Sequence, residues 1–465
     1  MQSLYEELHN LLEPHRQLHL LRFWDKLSPA EHATLAGEIR QLDLATILHA
    51  AHSGGSEDHS DDALRATTPT AIRLNQPDRA TWAQAACQHG VEALRAGRIG
   101  CLLVAGGQGS RLGFKHPKGM FSIGPVSGSS LFKILLEMIA ATRDRYGAAV
   151  PLYLMTSPAT HDETIDYLGR HQYFGLSADD VHIFCQGTLP ATDAETFEVL
   201  LAAPGRIALG PDGHGGMLAA LKHSGGMDDM RRRGLEHLFY FQVDNPLAPV
   251  CDPETIGAHL MAQSEYTLQV VAKRSPAERV GVVVSIDGRM RMIEYSDLPV
   301  EAAQARLPDG SLKLWAGNTA VNLFSVEFLQ RMANDDASLP LHRAIKKVPH
   351  IDDAGTLVEP SRPNAIKLER FIFDLLPHAK QGLVVEVDPA VAFGPVKNAP
   401  GEPSDTPQSV QRQMAARARQ WLTAAGATVA DGVQMEICPR FALDAGQVAE
   451  RIKPGTVVTR DTYFC

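Results

Sequence analysis

The chain has 465 residues, 44% hydrophobic and 21% charged, with a formal net charge of −10. At roughly 100–200 residues per domain that length allows two to four domains, with a core large enough to fold without disulfides or a structural metal. The negative balance argues against nonspecific nucleic-acid binding, which rests on phosphate neutralisation. It leaves room for one small anionic ligand held by a few local cations. No apolar run reaches the roughly 18 residues that a membrane-spanning helix needs, and Met1–Glu7 lacks a basic start followed by an apolar stretch. A cytoplasmic protein without membrane or nucleic-acid partners is expected. The six cysteines, Cys87, Cys101, Cys185, Cys251, Cys438 and Cys465, show no metal-ligand spacing and are expected as free thiols.

Residues 1–50 carry apolar positions at helical spacing: Leu8, Leu11 and Leu12, then Leu18, Leu21, Trp24 and Leu27. Ser28-Pro29-Ala30-Glu31 has the form of a capping box with proline in the first turn. The polar stretch 53–62 is expected as an exposed linker, and 79–96 as a helix ending at Gly97. From residue 99 short apolar runs alternate with helical ones, the mark of an α/β sheet. Strands are expected at 99–105, 151–155, 181–184, 238–243, 267–272, 319–324 and 383–387, and helices at 131–145 and 159–168. Segments 280–286 and 289–295 flank Asp287-Gly288, a two-residue hairpin signal. A polar stretch, 397–407, precedes a helix at 411–424, and the tail from 426 reads as short strands and turns.

The first expected strand runs into Gly106-Gly107-Gln108-Gly109-Ser110-Arg111-Leu112-Gly113, followed by Pro117-Lys118. Glycines let backbone N–H groups converge on a phosphate, while Arg111 offers a planar fork and Lys118 a point charge. The Gly-Lys-Ser/Thr of a Walker A loop is absent. So is the third glycine of a dinucleotide fingerprint, because Leu112 occupies its place.

The segment 103–118 resembles the signature loop of the UDP-sugar pyrophosphorylase (UDPGP-type) family, and is most similar to UDP-N-acetylhexosamine pyrophosphorylases of eukaryotic type. The resemblance recurs in order from about residue 20 to the C-terminus. It implies a Rossmann-like α/β nucleotidyltransferase core with a mixed, mostly parallel sheet, a helical N-terminal segment (1–97), a catalytic domain (98–390) and a small C-terminal α+β domain (391–465). It also implies roles for particular residues. Ala105, Gly106 and Gly107 would bind nucleotide, and Arg111 and Lys118 would hold the triphosphate. Gln186, in Cys185-Gln186-Gly187, would read uracil, with Gly213 letting the base approach the backbone. His214 stands where the eukaryotic enzymes usually have Asn, and either side chain can hydrogen-bond a sugar. Gly281, Glu294 and Asn318 match sugar-contacting positions. Lys367 matches the lysine that receives the reacting phosphates. Phe371 and Phe373, two apart and expected to face one way on a strand, would wall an acetamido pocket. Val396-Lys397-Asn398 matches a family stretch to which no role is given.

Asp244, at the end of an apolar strand, stands where the family binds its metal; Mg²⁺ suits one or two carboxylates plus phosphate oxygens, and Mn²⁺ is the alternative. The implied reaction joins UTP and a sugar 1-phosphate, N-acetylglucosamine 1-phosphate first among them, releasing pyrophosphate. UDP-glucose synthesis, a broad UDP-sugar specificity or a non-catalytic nucleotide-sugar sensor are the alternatives. A glycosyltransferase fits less well, since Val243-Asp244-Asn245 is not an Asp-x-Asp. Oligomeric state has no sequence signal.

Overall fold

The computed structural model describes residues 2–53, 59–334 and 339–465. The chain divides into two compact units: Met1–His59, Gln186–Ala219 and Asp336–Asp374 form one, and Ser60–Cys185, Ala220–Asp335 and Leu375–Cys465 the other.

The larger unit is built on a ten-stranded mixed sheet. Its main path runs Ala71–Ile72, Gly382–Glu386, Tyr266–Ala272, Ala316–Ser325, His237–Gln242, Ile99–Val104, Leu152–Thr156 and Val181–Cys185. The last four are mutually parallel, while Ala316–Ser325 runs antiparallel to both of its neighbours on that path. Strand Ile99–Val104 is buried along almost its whole length, which is why its sequence is a continuous apolar run rather than an alternating one. Helix Leu131–Tyr146, capped by Ser130, crosses from it to Leu152–Thr156. Helix His161–Arg170 makes the next crossover. The hairpin Val282–Ile286/Arg289–Ile293 turns at Asp287 and Gly288, both at positive φ, as a two-residue turn of this kind requires. The expected strands are therefore all present, with their ends moved by a few residues.

The end of this unit is a small α+β assembly. Helix Pro407–Ala424 buries Ala418 and Leu422 against Met435, Val448 and Val458, beside two short parallel strand pairs. Here the cysteine expectation is corrected. Cys438 and Cys465 form a disulfide, with 5.0 Å between their Cα atoms, so two of the six residues expected as thiols are joined. The linker expectation at 53–62 is corrected in part as well. Residues 54–58 lie outside the described residues, and the remainder begins helix His59–Arg65, whose Asp62 pairs with Arg65 and Arg291.

In the smaller unit, helices Gln2–Leu12 and Pro29–Arg40 share a core with Val199, Leu201 and Ile207. The capping box at Ser28 and Glu31 forms as the sequence indicates. Helix Leu44–His52 packs Ile47 and Ala51 on Ile366 and Leu368 of strand Ala365–Glu369. Because strand side chains alternate, Lys367 lies on the opposite face.

In the larger unit, helices Arg79–Arg95 and Pro253–Met261 touch backbone to backbone. A Cβ on Gly90 would fall 1.9 Å from the Pro253 carbonyl oxygen, and one on Gly257 would fall 1.6 Å from that of Ala86. Gly257→Ala is accordingly expected to destabilise the unit by about 1–3 kcal/mol through overpacking. A urea midpoint lowered at constant slope would register it, and an unchanged midpoint would show that the helices separate freely.

Candidate active site

Two adjacent parallel strands define the edge that matters in the larger unit. Val104 pairs with Gln242 across Ile99–Val104 and His237–Gln242, so Ala105 and Val243 leave the sheet side by side. The chain continues from Ile99–Val104 toward Leu152–Thr156 on one flank, whereas His237–Gln242 lies on the other. Loops at such a switch point, beyond the carboxyl ends of the strands, form the binding crevice of open α/β sheets.

The glycine-rich loop folds back on itself. Gly109 N–H donates to His116 O (3.0 Å), Phe114 N–H to Gly109 O (3.1 Å) and Lys118 N–H to Gly107 O (3.0 Å). Ser157 Oγ donates to Gly106 O at 2.7 Å and pins the start of the loop. Gly109 is required by close approach, since a Cβ there would meet the Phe114 ring at 2.7 Å. Ala105 is buried, Gly107 is exposed, and Arg111 projects exposed from a 3₁₀ turn. Lys118 returns beside the first glycines, and its Nζ lies 3.5 Å from Val396 O. Burial pushes the Lys118 ammonium below the usual lysine range, Arg111 and Lys397 add to that, and the Asp244 carboxylate opposes it. Arg111, Lys118, Lys397 and Asp244 therefore share one electrostatic neighbourhood.

Asp244 is half-buried, and its backbone oxygen accepts from Val396 N–H at 2.8 Å. Lys397 N–H donates to Asp405 O at 2.8 Å. The Asp405 carboxyl is raised by burial, with Lys397 and Arg274 opposing and the negative charge of Asp244 contributing. Among the described residues no group of three or more His, Cys, Asp and Glu side chains could hold a metal by protein ligands alone. The donor set of Asp244, with Asp405 nearby, instead suits a hard cation that completes its shell with phosphate oxygens and water.

Gly281, Glu294 and Asn318 also come together in this unit. Asn318 N–H donates to Gly281 O at 2.9 Å. A Cβ on Gly281 would lie 3.1 Å from Glu294 Oε1, so the Glu294 side chain runs along the bare glycine backbone. Pairing between Tyr266–Ala272 and Ala316–Ser325 shifts register between Leu268 and Val270, and Ala320 sits at φ 59°. This bulge aims Asn318, whose Oδ1 accepts from Ala320 N–H at 3.0 Å.

The other site residues lie in the smaller unit. Gln186 is buried just before strand Thr188–Pro190, which pairs antiparallel with Leu209–Pro211. Lys367 extends over Gly210, with its Nζ 3.2 Å from where a Cβ would stand. Gly213 has φ 87° and passes so close to Arg370 that a Cβ would fall 2.4 Å from the Arg370 oxygen. His214 Nδ1 accepts from Ile372 N–H at 3.1 Å, which assigns the proton of the neutral ring to Nε2. Burial, followed by the charge of His342, lowers the His214 pKa to about 4, so the ring is neutral at ordinary pH.

Phe371 and Phe373 do not share a strand. Strand Ala365–Glu369 ends before them, and a 3₁₀ segment, Ile372–His378, begins between them. The turn still brings the rings together, with centroids 5.0 Å apart and planes at 29°. His214 packs on both at 5.3 and 5.7 Å. His342 lies 4.6 Å from Phe371 and bonds Asp374 through Nε2 at 2.7 Å. His342 carries no motif of its own in the sequence. Lys397 sits in a stretch that matched the family without a role, and its closeness to Lys118 is visible only in the fold.

Asp212 is a further buried group, raised to about 6 by burial against the pull of Arg370, with Oδ1 meeting no partner among the described residues. The fold disfavours its charged form. Its contribution to stability is therefore complete below about pH 4 and is lost as pH rises through about 6. Asp212→Asn is expected to change stability little near pH 4 and to raise it by about 1–3 kcal/mol above pH 7. Urea midpoints at the two pH values check this, and a variant destabilised at pH 7 would show that the ionised carboxylate is needed.

Comparison with known proteins identifies the family. Residues 69–402 match the model of the UDPGP family, UTP–glucose-1-phosphate uridylyltransferase. The chain is 37% identical over 372 residues to the UDP-N-acetylglucosamine pyrophosphorylase of Saccharomyces cerevisiae, covering 78% of each. It is 34% identical over 422 residues to UDP-N-acetylhexosamine pyrophosphorylase-like protein 1 of Xenopus tropicalis, covering 88% of this chain and 82% of that one. The solved UDP-N-acetylglucosamine pyrophosphorylase of Trypanosoma brucei, in complex with an inhibitor, superposes with a TM-score of 0.83 at 27% identity over 98% of both chains. With its glycine-rich loop and Asp244 at the sheet edge where the family match runs, this chain belongs to the UDPGP family of UTP–sugar-1-phosphate uridylyltransferases.

Proposed function

We propose that the chain joins UTP and N-acetylglucosamine 1-phosphate into UDP-N-acetylglucosamine and pyrophosphate, its catalytic apparatus carried by residues 98–390. The observation that carries this reading is Lys118, whose backbone N–H bonds Gly107 O and whose desolvated ammonium shares the electrostatic neighbourhood of Asp244. Relatives carrying the N-acetylglucosamine name, at 31–37% identity, support the choice of sugar.

The reaction needs no protein nucleophile. A phosphate oxygen of the sugar 1-phosphate, already an anion at neutral pH, attacks the α-phosphorus of UTP; that bond forms as the bond to the bridging oxygen breaks, and pyrophosphate carries away the electron pair. The obstacle is repulsion between two polyanions, so positioning and fixed charge do the catalysis. Arg111 and Lys118 hold the triphosphate against the amides of Ala105, Gly106 and Gly107, with Lys397 as a further cation. Gln186 can donate to and accept from the uracil edge, and the bare backbone at Gly213 admits the base. Lys367 receives the sugar phosphate. Gly281, Glu294 and Asn318 bind the sugar, His214 donates through Nε2–H, and Phe371 and Phe373 wall the acetamido group. Asp244 would hold Mg²⁺, or Mn²⁺, which supplies positive charge to phosphate oxygens when bound.

Glucose 1-phosphate or a broader range of sugars is the second reading, favoured by one observation: His214 presents a single fixed donor where an Asn would present both a donor and an acceptor. Pyrophosphate release measured with N-acetylglucosamine, glucose and galactose 1-phosphates, using UTP, TTP and ATP in turn, separates them. UTP with the acetylated sugar is expected to lead by tenfold or more in kcat/KM, and a tenfold preference for a non-acetylated sugar would select the second reading. Lys118→Ala and Lys367→Ala are each expected to lower kcat by about 10²–10³, or roughly 3–4 kcal/mol in the barrier. A Lys367→Ala enzyme retaining more than half the parent rate would remove Lys367 from the phosphate-binding set.

A further inference from the structure

Within the larger unit is a cavity of about 230 Å³ that none of the site residues lines. Helix Leu131–Tyr146 contributes Ile134 and Met138, helix Pro407–Ala424 contributes Met414 and Ala418, and the chain at 248–253 and 391–392 closes the wall. An engineered apolar cavity of about 150 Å³ admits benzene, so this one has room for a single ring and a short substituent.

Its charged groups settle what kind of molecule fits. Three carboxylates line the cavity, and each is already engaged. Asp252 caps helix Pro253–Met261, accepting from Thr255 N–H at 2.9 Å and Thr255 Oγ1 at 2.6 Å. Asp444 caps helix Ala445–Arg451 through Gln447 N–H and pairs with Arg145. Glu436 accepts from Val126 N–H, Ser127 N–H and Ser127 Oγ. Arg417 differs from all three. Its Nη1 donates only to the carbonyls of Val391 (3.1 Å) and Leu247 (3.5 Å), and its guanidinium lies 5.1 Å from the Trp421 ring centroid. Among the described residues no carboxylate pairs with Arg417, and its Nε and Nη2 meet no acceptor. Burial lowers its pKa to about 10. Arg417 is partly exposed and the lining carboxylates are engaged elsewhere, so an incoming anion could serve as its counter-ion.

We propose that this cavity binds a small amphipathic anion, a single aromatic ring or short aliphatic chain bearing one carboxylate or phosphate group, with the head on Arg417 and the body against Trp421, Met414 and Ile134. The site is separate from the catalytic residues, and its occupancy is independent of which sugar the enzyme uses.

Calorimetric titration of the full chain with phenylacetate, with phenyl phosphate and with uncharged 2-phenylethanol tests it. One or both anions are expected to bind with unit stoichiometry, at least tenfold more tightly than the alcohol, and the stronger of the two identifies the head group. Arg417→Met is expected to weaken that binding tenfold or more. Ala418→Met, which fills the chamber and keeps the charge, is expected to abolish it. If Arg417→Met does not fold, the anion-to-alcohol ratio on the parent protein and the Ala418→Met variant decide. Absence of binding by either anion at millimolar concentration, equal affinity for the alcohol, or binding unchanged in Ala418→Met overturns the proposal.

Discussion

The register between strands Ile99–Val104 and His237–Gln242 governs the chemistry of the larger unit. Because they are parallel neighbours with Val104 opposite Gln242, the glycine-rich loop and Asp244 emerge from one edge of the sheet. Both strands are buried along most of their length, so a slip of one residue would misplace packed side chains on both faces, and the core packing holds this arrangement. The loop then brings Lys118 back to Gly107, beside Arg111, Lys397 and Asp244. Burial lowers the Lys118 pKa first, the Asp244 carboxylate opposes that, and Arg111 and Lys397 add smaller contributions in the lowering direction.

The smaller unit sets one cation, Lys367, and a cluster of neutral rings on neighbouring segments. Strand alternation fixes Lys367 on the face opposite Ile366 and Leu368, and the bare backbone of Gly210 gives its side chain a track. Beyond the strand, the turn at Ile372 uses its own N–H to set the tautomer of His214. His342 is held by Asp374 and closes the far side of Phe371. Two stacked phenyl rings and a histidine that keeps one tautomer make a rigid wall with a single donor.

Much of this could be read from the chain. The parallel strands declared themselves because burial on both faces demands unbroken apolar runs, as in Ile99–Val104, and Asp287-Gly288 fixed a hairpin because both residues tolerate positive φ. The candidate site residues lie in the segments that carry the family resemblance, and the fold distributes them between its two units. What was not legible has physical causes. Strands Thr188–Pro190 and Leu209–Pro211 are three residues long, too short to show a period. Phe371 and Phe373 look like a strand face by spacing, yet a 3₁₀ turn produces the same stacking. Cys438 and Cys465 are brought together by the parallel pairing of Met435–Ile437 with Thr462–Phe464, a tertiary contact with no local signal. Lys397 and His342 are likewise placed by packing.

One short segment links the catalytic edge to the rest of the larger unit. Asn245, next to Asp244, is buried and spends its side chain on the chain at 392–394: Nδ2 donates to Ala392 O at 2.9 Å and Oδ1 accepts from Gly394 N–H at 3.0 Å. Two residues on, Val396 N–H bonds Asp244 O and Val396 O lies near Lys118 Nζ. The same segment is held from behind by Gln413, whose Nε2 donates to Pro389 O and Phe393 O, and by Arg417 at Val391 O. The carboxylate and the lysine are thus positioned relative to each other by a strap whose far side is a wall of the Arg417 cavity. Backbone held on both sides by buried amide and guanidinium groups shifts as a unit. The position of Asp244 therefore depends on helix Pro407–Ala424 as much as on the sheet.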